Sequence, residues 1–320
     1  MPDEASTADG TGAAHRTEAT GSPRRCGIVA IIGAPNAGKS TLVNALVGAK
    51  VTIVSRKVQT TRIPIRGIAI EGASQLVFID TPGIFAPKRR LDKAMVAAAW
   101  AGAGDADSVV VMVDAAKGID ETVEPILQRL AQASARRILV LNKVDRVSDK
   151  EQLLALVGDL SARMPFEHVF MISALTGSGV AALKKCLAES VPEGPWLYPE
   201  DEMSDIPMRL LAAEVTREKI FDLLHDEVPY QTTVETDSWK ALKDGSVRVE
   251  QTIFVARDSQ KKIMLGKAGQ TIKKISSQSR AELSSMIEQP VHLFLFVKVR
   301  EGWEQDPARY REMGLEFPKE

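Results

Sequence analysis

The chain has 320 residues, and 41 basic against 42 acidic side chains leave a net charge of −1; that length exceeds what one core usually holds, and the balance hides any local asymmetry. Its two cysteines, Cys26 and Cys186, lie far apart without CxxC spacing, so neither a disulfide framework nor a structural zinc site is implied. No run of about 18 apolar residues and no apolar N-terminal signal core occur, so the expected setting is a reducing cytoplasm.

Residues 1–24 carry no large apolar side chain after Met1 and predict a disordered tail. Beyond it, apolar runs at 28–32, 65–70, 76–79, 109–113, 138–141 and 169–172 predict strands. Helical patterns at 40–47, 91–103, 121–133, 150–164 and 180–187 fall between most of them. Such alternation predicts an α/β domain over 25–191, with a mixed, mostly parallel sheet covered on both faces. Residues 71–75 are too few for a crossover helix, so the second and third strands form a hairpin turning there. A proline-rich, acidic stretch at 192–206 predicts a linker. Over 207–300 the pattern changes to a helix (208–224), a hairpin (232–240 and 246–255), two helices (259–265 and 271–288) and a strand (291–299). This αββααβ order predicts a separate α+β domain, with 301–320 left as a C-terminal tail.

The first strand runs into Gly33-Ala34-Pro35-Asn36-Ala37-Gly38-Lys39-Ser40-Thr41, and the first helix follows. GxxxxGKS between strand and helix is a phosphate-binding loop. Glycines let successive N–H groups and the helix N-terminus converge on phosphates, Lys39 reaches the β and γ phosphates, and the Ser40 hydroxyl is placed to ligate Mg²⁺. Asp80-Thr81-Pro82-Gly83 ends the third strand, where a carboxylate can hold Mg²⁺ through water and the Gly83 N–H can meet the γ phosphate. Out of context the same tetrapeptide reads equally as a β-turn.

Asn142-Lys143-Val144-Asp145 closes the fifth strand with residue types that suit guanine. The Asp145 carboxylate can accept N1–H and the 2-amino group, Asn142 faces N7, and the Lys143 stem lies along the base. Adenine lacks both donors, so a carboxylate there rejects it. The alternative, Asx capping of the following helix, stays open for the tetrapeptide alone. Ser173-Ala174, ending the next strand, supplies an amide for guanine O6. Ser55 to Arg62 is polar, basic and aperiodic, hence a loop, in which Thr61 is favoured over Thr60 as a Mg²⁺ ligand sensitive to the γ phosphate.

In this order GAPNAGKST, SRKVQTTR, DTPG, NKVD and ISA resemble the translation-factor-like GTPases, and more narrowly the Era family, over about residues 26–299. The resemblance implies that the second domain is a type II KH domain whose RNA loop is a GxxG. Here that loop is Gly266-Lys267-Ala268-Gly269, with Lys261, Lys262, Lys273 and Lys274 beside it. Glycines allow close approach of a nucleic-acid backbone and the lysines neutralise phosphates. The plain alternative is a solvated, charged helix end. Asn36 resembles the asparagine with which related GTPases bind K⁺, with simple stabilisation of the turn as its alternative. Ile84 stands where Ras-like enzymes place a water-orienting glutamine, so hydrolysis is expected to be slow and to need another group or partner.

The reading that joins these features is a GTP-hydrolysing switch, Mg²⁺-dependent and monomeric. The resemblance adds binding of small-subunit ribosomal RNA near its 3′ end, a role in subunit maturation and peripheral contact with the inner membrane. One competing reading, a constitutive RNA-binding protein with a structural nucleotide domain, is opposed by intact Lys39, Ser40, Asp80 and Asp145. Another, a tRNA-modification GTPase, is opposed by the GxxG domain.

Overall fold

The computed structural model describes residues 23–132 and 135–319. The predicted tail thus lies outside the described residues, except for its last two positions, and so does position 133 of the expected third helix.

The first half runs β1 (Arg25–Gly33), α1 (Lys39–Val47), β2 (Ile65–Glu71), β3 (Ser74–Asp80), α2 (Arg90–Gly104), β4 (Ser108–Asp114), α3 (Val123–Leu130), β5 (Arg136–Asn142), α4 (Lys150–Arg163), β6 (His168–Ile172) and α5 (Val180–Ser190). The strands form one sheet in the order β2-β3-β1-β4-β5-β6. Only β2 runs antiparallel to its neighbour. β4 is buried along its whole length because helices cover both faces. One face packs Val29, Ile31, Val110 and Val140 against Leu42 and Leu46 of α1 and Leu183 and Leu187 of α5. The other packs Ala30, Ile32, Val111 and Leu139 against α2, α3 and α4.

The β2–β3 hairpin is tighter than expected: Glu71 pairs with Ser74, leaving Gly72 and Ala73 as the turn. Ser74 and Gln75 look like turn residues but are buried strand residues, because other parts of the chain satisfy their polar groups. The Ser74 hydroxyl donates to the Ala188 carbonyl at 2.8 Å. The Gln75 amide donates to Tyr198 and accepts from Leu197 and Tyr198 at 2.8–3.0 Å. Those last partners lie in the stretch after α5, which runs along the edge of the sheet and pairs Ser204 with Gly67 of β2. An otherwise open edge strand is thereby covered. The third helix starts later than its pattern suggests, at Val123, because the Asp120 carboxylate accepts from the Thr122 and Val123 amides and holds the preceding turn.

The second half comprises α6 (Met208–Leu223), β7 (Thr232–Ala241), β8 (Val247–Val255), α7 (Asp258–Leu265), α8 (Gln270–Ile287) and β9 (Val291–Val299). Its sheet order is β7-β8-β9, antiparallel then parallel. Apolar residues of α6 and α8 lie against the inward faces of β8 and β9, with Ile275 and Leu283 of α8 fully buried. After β9 the chain does not trail away. A short helix α9 (Pro307–Glu312) and its flanks bury Trp303, Tyr310 and Leu315 with Ile63, Leu91 and Met95 of the first half.

Candidate nucleotide and RNA sites

The loop after β1 is held by the ends of neighbouring strands. Gly38 has φ +102°, a conformation that disfavours a side chain, and a β-carbon there would lie 2.3 Å from the Asn142 amide nitrogen. That nitrogen donates to the Ala37 carbonyl at 2.8 Å, so the phosphate loop and the end of β5 interlock. Lys39 is buried and its ammonium donates to the Gly33 and Ala34 carbonyls at 3.2 and 3.0 Å. Burial pulls its pKa down to about 8, against a smaller opposing effect of the Asp80 charge.

Four hydroxyl and carboxyl groups meet beside the loop. Asp80 accepts from Ser40 and Thr52 at 2.7 Å each and from Thr61 at 3.4 Å, and the Ser40 and Thr61 oxygens are 2.9 Å apart. Asp80 is buried, which raises its pKa although these bonds and Lys39 oppose the rise. Its Oδ1 is buried without a hydrogen-bond partner among the described residues. Two hydroxyls and a carboxylate with an unsatisfied oxygen are the donor set of a hard, oxygen-seeking cation, so these residues fit Mg²⁺. Thr60 is not in this group: its hydroxyl donates back to the Lys57 carbonyl at 2.9 Å. Thr81 is not either, since its hydroxyl is buried and donates to the Ile31 carbonyl at 2.6 Å. Pro82 and Gly83 are buried with the loop packed over them, Gly83 against Pro35, and Thr41 lines the small cavity of about 60 Å³ between the phosphate loop and the segment 53–61. A larger cavity of about 650 Å³ lies between α2, β2 and the chain after α9, away from this chemistry. Ile84 is buried in the apolar core that also holds Ala30 and Ile32.

At the ends of β5 and β6, Lys143 donates to the Asn36 carbonyl at 2.5 Å and pairs with Asp114 at 2.6 Å. The Asn36 side chain donates to the Arg56 carbonyl at 3.0 Å, tying the phosphate loop to the segment before Thr61. Asp145 is exposed in the turn that follows Lys143. The Ala174 amide donates to Asn142 Oδ1 at 2.9 Å, so it meets a purine oxygen only by sharing that hydrogen or after Asn142 shifts. Ser173 is buried and accepts from the Thr176 amide.

Asp114 and Thr52 were missed from sequence. Asp114 had a signal: it ends β4 in register with Asn142 at the carboxyl edge of a parallel sheet, where ligands bind in such folds. Thr52, within an apolar run, had none.

In the second half the GxxG forms a one-turn 3₁₀ link between α7 and α8. Gly266 has φ +72°, and a β-carbon there would lie 2.1 Å from the Thr271 hydroxyl. Lys262, Lys267, Ala268, Lys273 and Lys274 are exposed, while Lys261 and Gly269 are half-buried. The lysines make no ion pair among the described residues, so their charge is available at one end of the domain.

Residues 28–143 match the family model of the 50S ribosome-binding GTPases, and residues 227–304 that of the KH domain. The protein is a P-loop GTPase with a mostly parallel sheet, joined to a C-terminal KH domain. It is 65% identical to the GTPase Era of Bradyrhizobium sp. over 94% of this chain and 97% of that one. Against the GTPase Era of Rhizobium meliloti it is 61% identical, over 95% and 96%. Among solved structures, Era with MgGDPNP and nucleotides 1506–1542 of 16S ribosomal RNA aligns with TM-score 0.86 at 37% identity, over 91% of this chain and 99% of that one. An Aquifex aeolicus Era variant bound to GDP and AlF4⁻ aligns with the same score, identity and coverage. The chain belongs to the Era family of GTPases.

Proposed function

We propose that the protein is a GTP-driven switch that binds the 3′ end of small-subunit ribosomal RNA and assists maturation of that subunit. The observation that carries the nucleotide half is the buried, unpartnered Asp80 Oδ1 beside Ser40 and Thr61. A structural relic would have no reason to keep an unsatisfied buried carboxylate oxygen. Ser40 and Thr61 would ligate Mg²⁺ directly and Asp80 would hold it through water; the ion would supply charge that neutralises the phosphates. Gly33, Pro35, Asn36, Ala37, Gly38, Lys39 and Thr41 cradle those phosphates, and the Gly83 amide meets the γ phosphate with Thr81 and Pro82 setting its position. Asn142, Lys143 and Asp145 read guanine, with Ser173 and Ala174 at its O6. Catalysis falls to Lys39, Thr61 and Gly83, and Asn36 would hold a K⁺ ion that would supply positive charge in the role of an arginine finger.

The RNA half rests on Gly266, Lys267, Ala268 and Gly269 flanked by Lys261, Lys262, Lys273 and Lys274. Supporting it, a relative 37% identical to this chain has been crystallised with nucleotides 1506–1542 of 16S ribosomal RNA. In this reading residues 25–191 and 207–300 divide the work, 192–206 joins them, and the protein is a cytoplasmic monomer with peripheral contact to the inner membrane. Among the described residues no helix is long and apolar enough to cross a membrane. The test is crosslinking and sequencing of bound RNA with a GTP analogue against GDP. Enrichment of the 16S 3′ end only with the analogue is expected; equal recovery of unrelated RNA in both states refutes the reading.

A further inference from the structure

The segment that carries Thr61 is held by the KH domain. Arg217, on α6, is 2% exposed and donates to the Thr60 carbonyl. Its guanidinium is fixed from behind by Glu214, one helical turn earlier, with Nε to Oε1 at 2.8 Å, and its plane lies 5.4 Å from the Phe221 ring. From the other direction, Arg62 donates to the carbonyls of Thr232, Pro229 and Tyr230 at 2.7, 3.2 and 2.9 Å. The Arg62 guanidinium is buried and lies 5.8 Å from the Trp303 ring. Thr60 and Thr61 are thus pinned between two buried arginine contacts. Farther along the same loop, the Val54 amide donates to Glu218 at 2.7 Å and the Lys57 ammonium to the carbonyls of Phe221 and Leu224 at the end of α6.

We infer that Arg217 is a positioning residue of the GTPase reaction, supplied by the RNA-binding domain: by holding the Thr60 carbonyl it fixes the Thr61 hydroxyl against Ser40 and Asp80. This rests on the reading of Thr61 as the Mg²⁺-facing threonine. The chemistry is that of one edge of a planar guanidinium shared between a carboxylate and a carbonyl, while the other Nη is buried without a hydrogen-bond partner among the described residues. Nε and one Nη face Glu214, and the same Nη reaches the carbonyl of the residue before Thr61. Without that anchor the Thr60–Thr61 peptide can rotate, and the hydroxyl leaves the metal-facing cluster. The nucleotide site is therefore complete only with α6 docked.

The test uses the full chain. Arg217→Met alone strands the Glu214 charge, so the paired variant Arg217→Met/Glu214→Gln removes both charges at similar volume, and Arg217→Lys keeps a cationic donor. Steady-state GTP turnover is measured against GTP and against Mg²⁺. The paired variant is expected to lose about tenfold in kcat with KM for GTP within about twofold, and to need more Mg²⁺ for half-maximal rate, as for an interaction made in the transition state. Arg217→Lys, a cationic donor without the fork, should recover part of the loss. A purely structural contact would leave the Mg²⁺ requirement and kcat where they were, and that outcome overturns the inference. Thr61→Ala separates two failures. If it keeps the wild-type kcat and Mg²⁺ requirement, the reading of Thr61 falls and the inference with it. An impaired Thr61→Ala beside an unimpaired paired variant removes the role of Arg217 alone.

Discussion

Replacing Gly38 by alanine tests whether the phosphate loop and the base-reading strand end are one mechanical unit. At φ +102° an L-residue is strained by about 1–3 kcal/mol. The new methyl would also start 2.3 Å from the Asn142 amide nitrogen, about 1 Å inside ordinary contact. Asn142 is buried and cannot swing away without loosening its bonds to the Ala37 carbonyl and the Ala174 amide. Each of those is worth about 0.5–1.5 kcal/mol net. The expected loss is therefore about 2–6 kcal/mol of stability, accompanied by weaker GDP binding because the loop and Asn142 separate. Gly48→Ala is the control: φ is +83°, but nothing lies within 4 Å of its β-carbon, so only the backbone strain applies. Urea unfolding of the chain without nucleotide gives the stabilities, and calorimetric titration with GDP gives the affinities. If the two alanine variants match in both measurements, Asn142 does not transmit the strain and the interlock is wrong.

Asp145→Asn should weaken GTP by about a hundredfold or more, since two guanine donors lose a charged acceptor, and should shift preference to xanthosine triphosphate; competition binding with both nucleotides decides it. Lys267→Asp with Ala268→Asp should lower RNA affinity about tenfold or more and flatten its salt dependence, read by filter binding at several salt concentrations; unchanged affinity would place recognition elsewhere. Nucleotide affinity should fall with pH above about 8. There the buried Lys39 loses its proton in the free chain, so binding a polyanion must bring one in, at a cost of up to about tenfold per pH unit. Below that pH the lysine is already charged and affinity should be flat, which a titration series from pH 6.5 to about 9.5 resolves. Turnover in matched K⁺ and Na⁺ buffers should favour K⁺, and Asn36→Ala should abolish the difference; equal wild-type rates remove the K⁺ proposal.

Strand and helix order was legible because burial on both faces forces near-continuous apolar runs, and the phosphate loop because its spacing serves a single geometry. What escaped was polar. Ser74 and Gln75 looked like a turn, but their partners lie more than 100 positions away, at Ala188, Leu197 and Tyr198. The stripe Glu214, Arg217, Glu218 and Phe221 has helical spacing and three charges, the usual mark of a solvated face, yet all four are buried. Trp303 and Tyr310 sit in a stretch too short and too charged to show a periodicity, and they are buried because the first domain offers Ile63, Leu91 and Met95. In each case the partner is on another element, and a local pattern carries no trace of it.

The division into two domains therefore describes the sheets better than the contacts. α6 packs on α8, the helix that begins at the GxxG, and Glu282 of α8 pairs with Lys219 of α6 and with Lys50, which also meets Glu218 at 2.7 Å. Lys50 lies just past the end of α1, so one charge cluster joins the chain after that helix to α6, whose Arg217 holds Thr60, and to α8, which begins at the GxxG. A turn of the three-stranded sheet relative to the six-stranded one would have to break the three carbonyl bonds of Arg62, the Arg217 contact and the Lys50 pairs together. Buried charge contacts of this kind are costly to leave half made, so intermediate positions are disfavoured and the arrangement has few stable settings. If Arg217 positions Thr61 as inferred, a loop pinned in that way would report the position of the KH domain to that threonine, and by the reciprocity of linkage the occupant of the nucleotide site would act back on the KH domain through the same bonds.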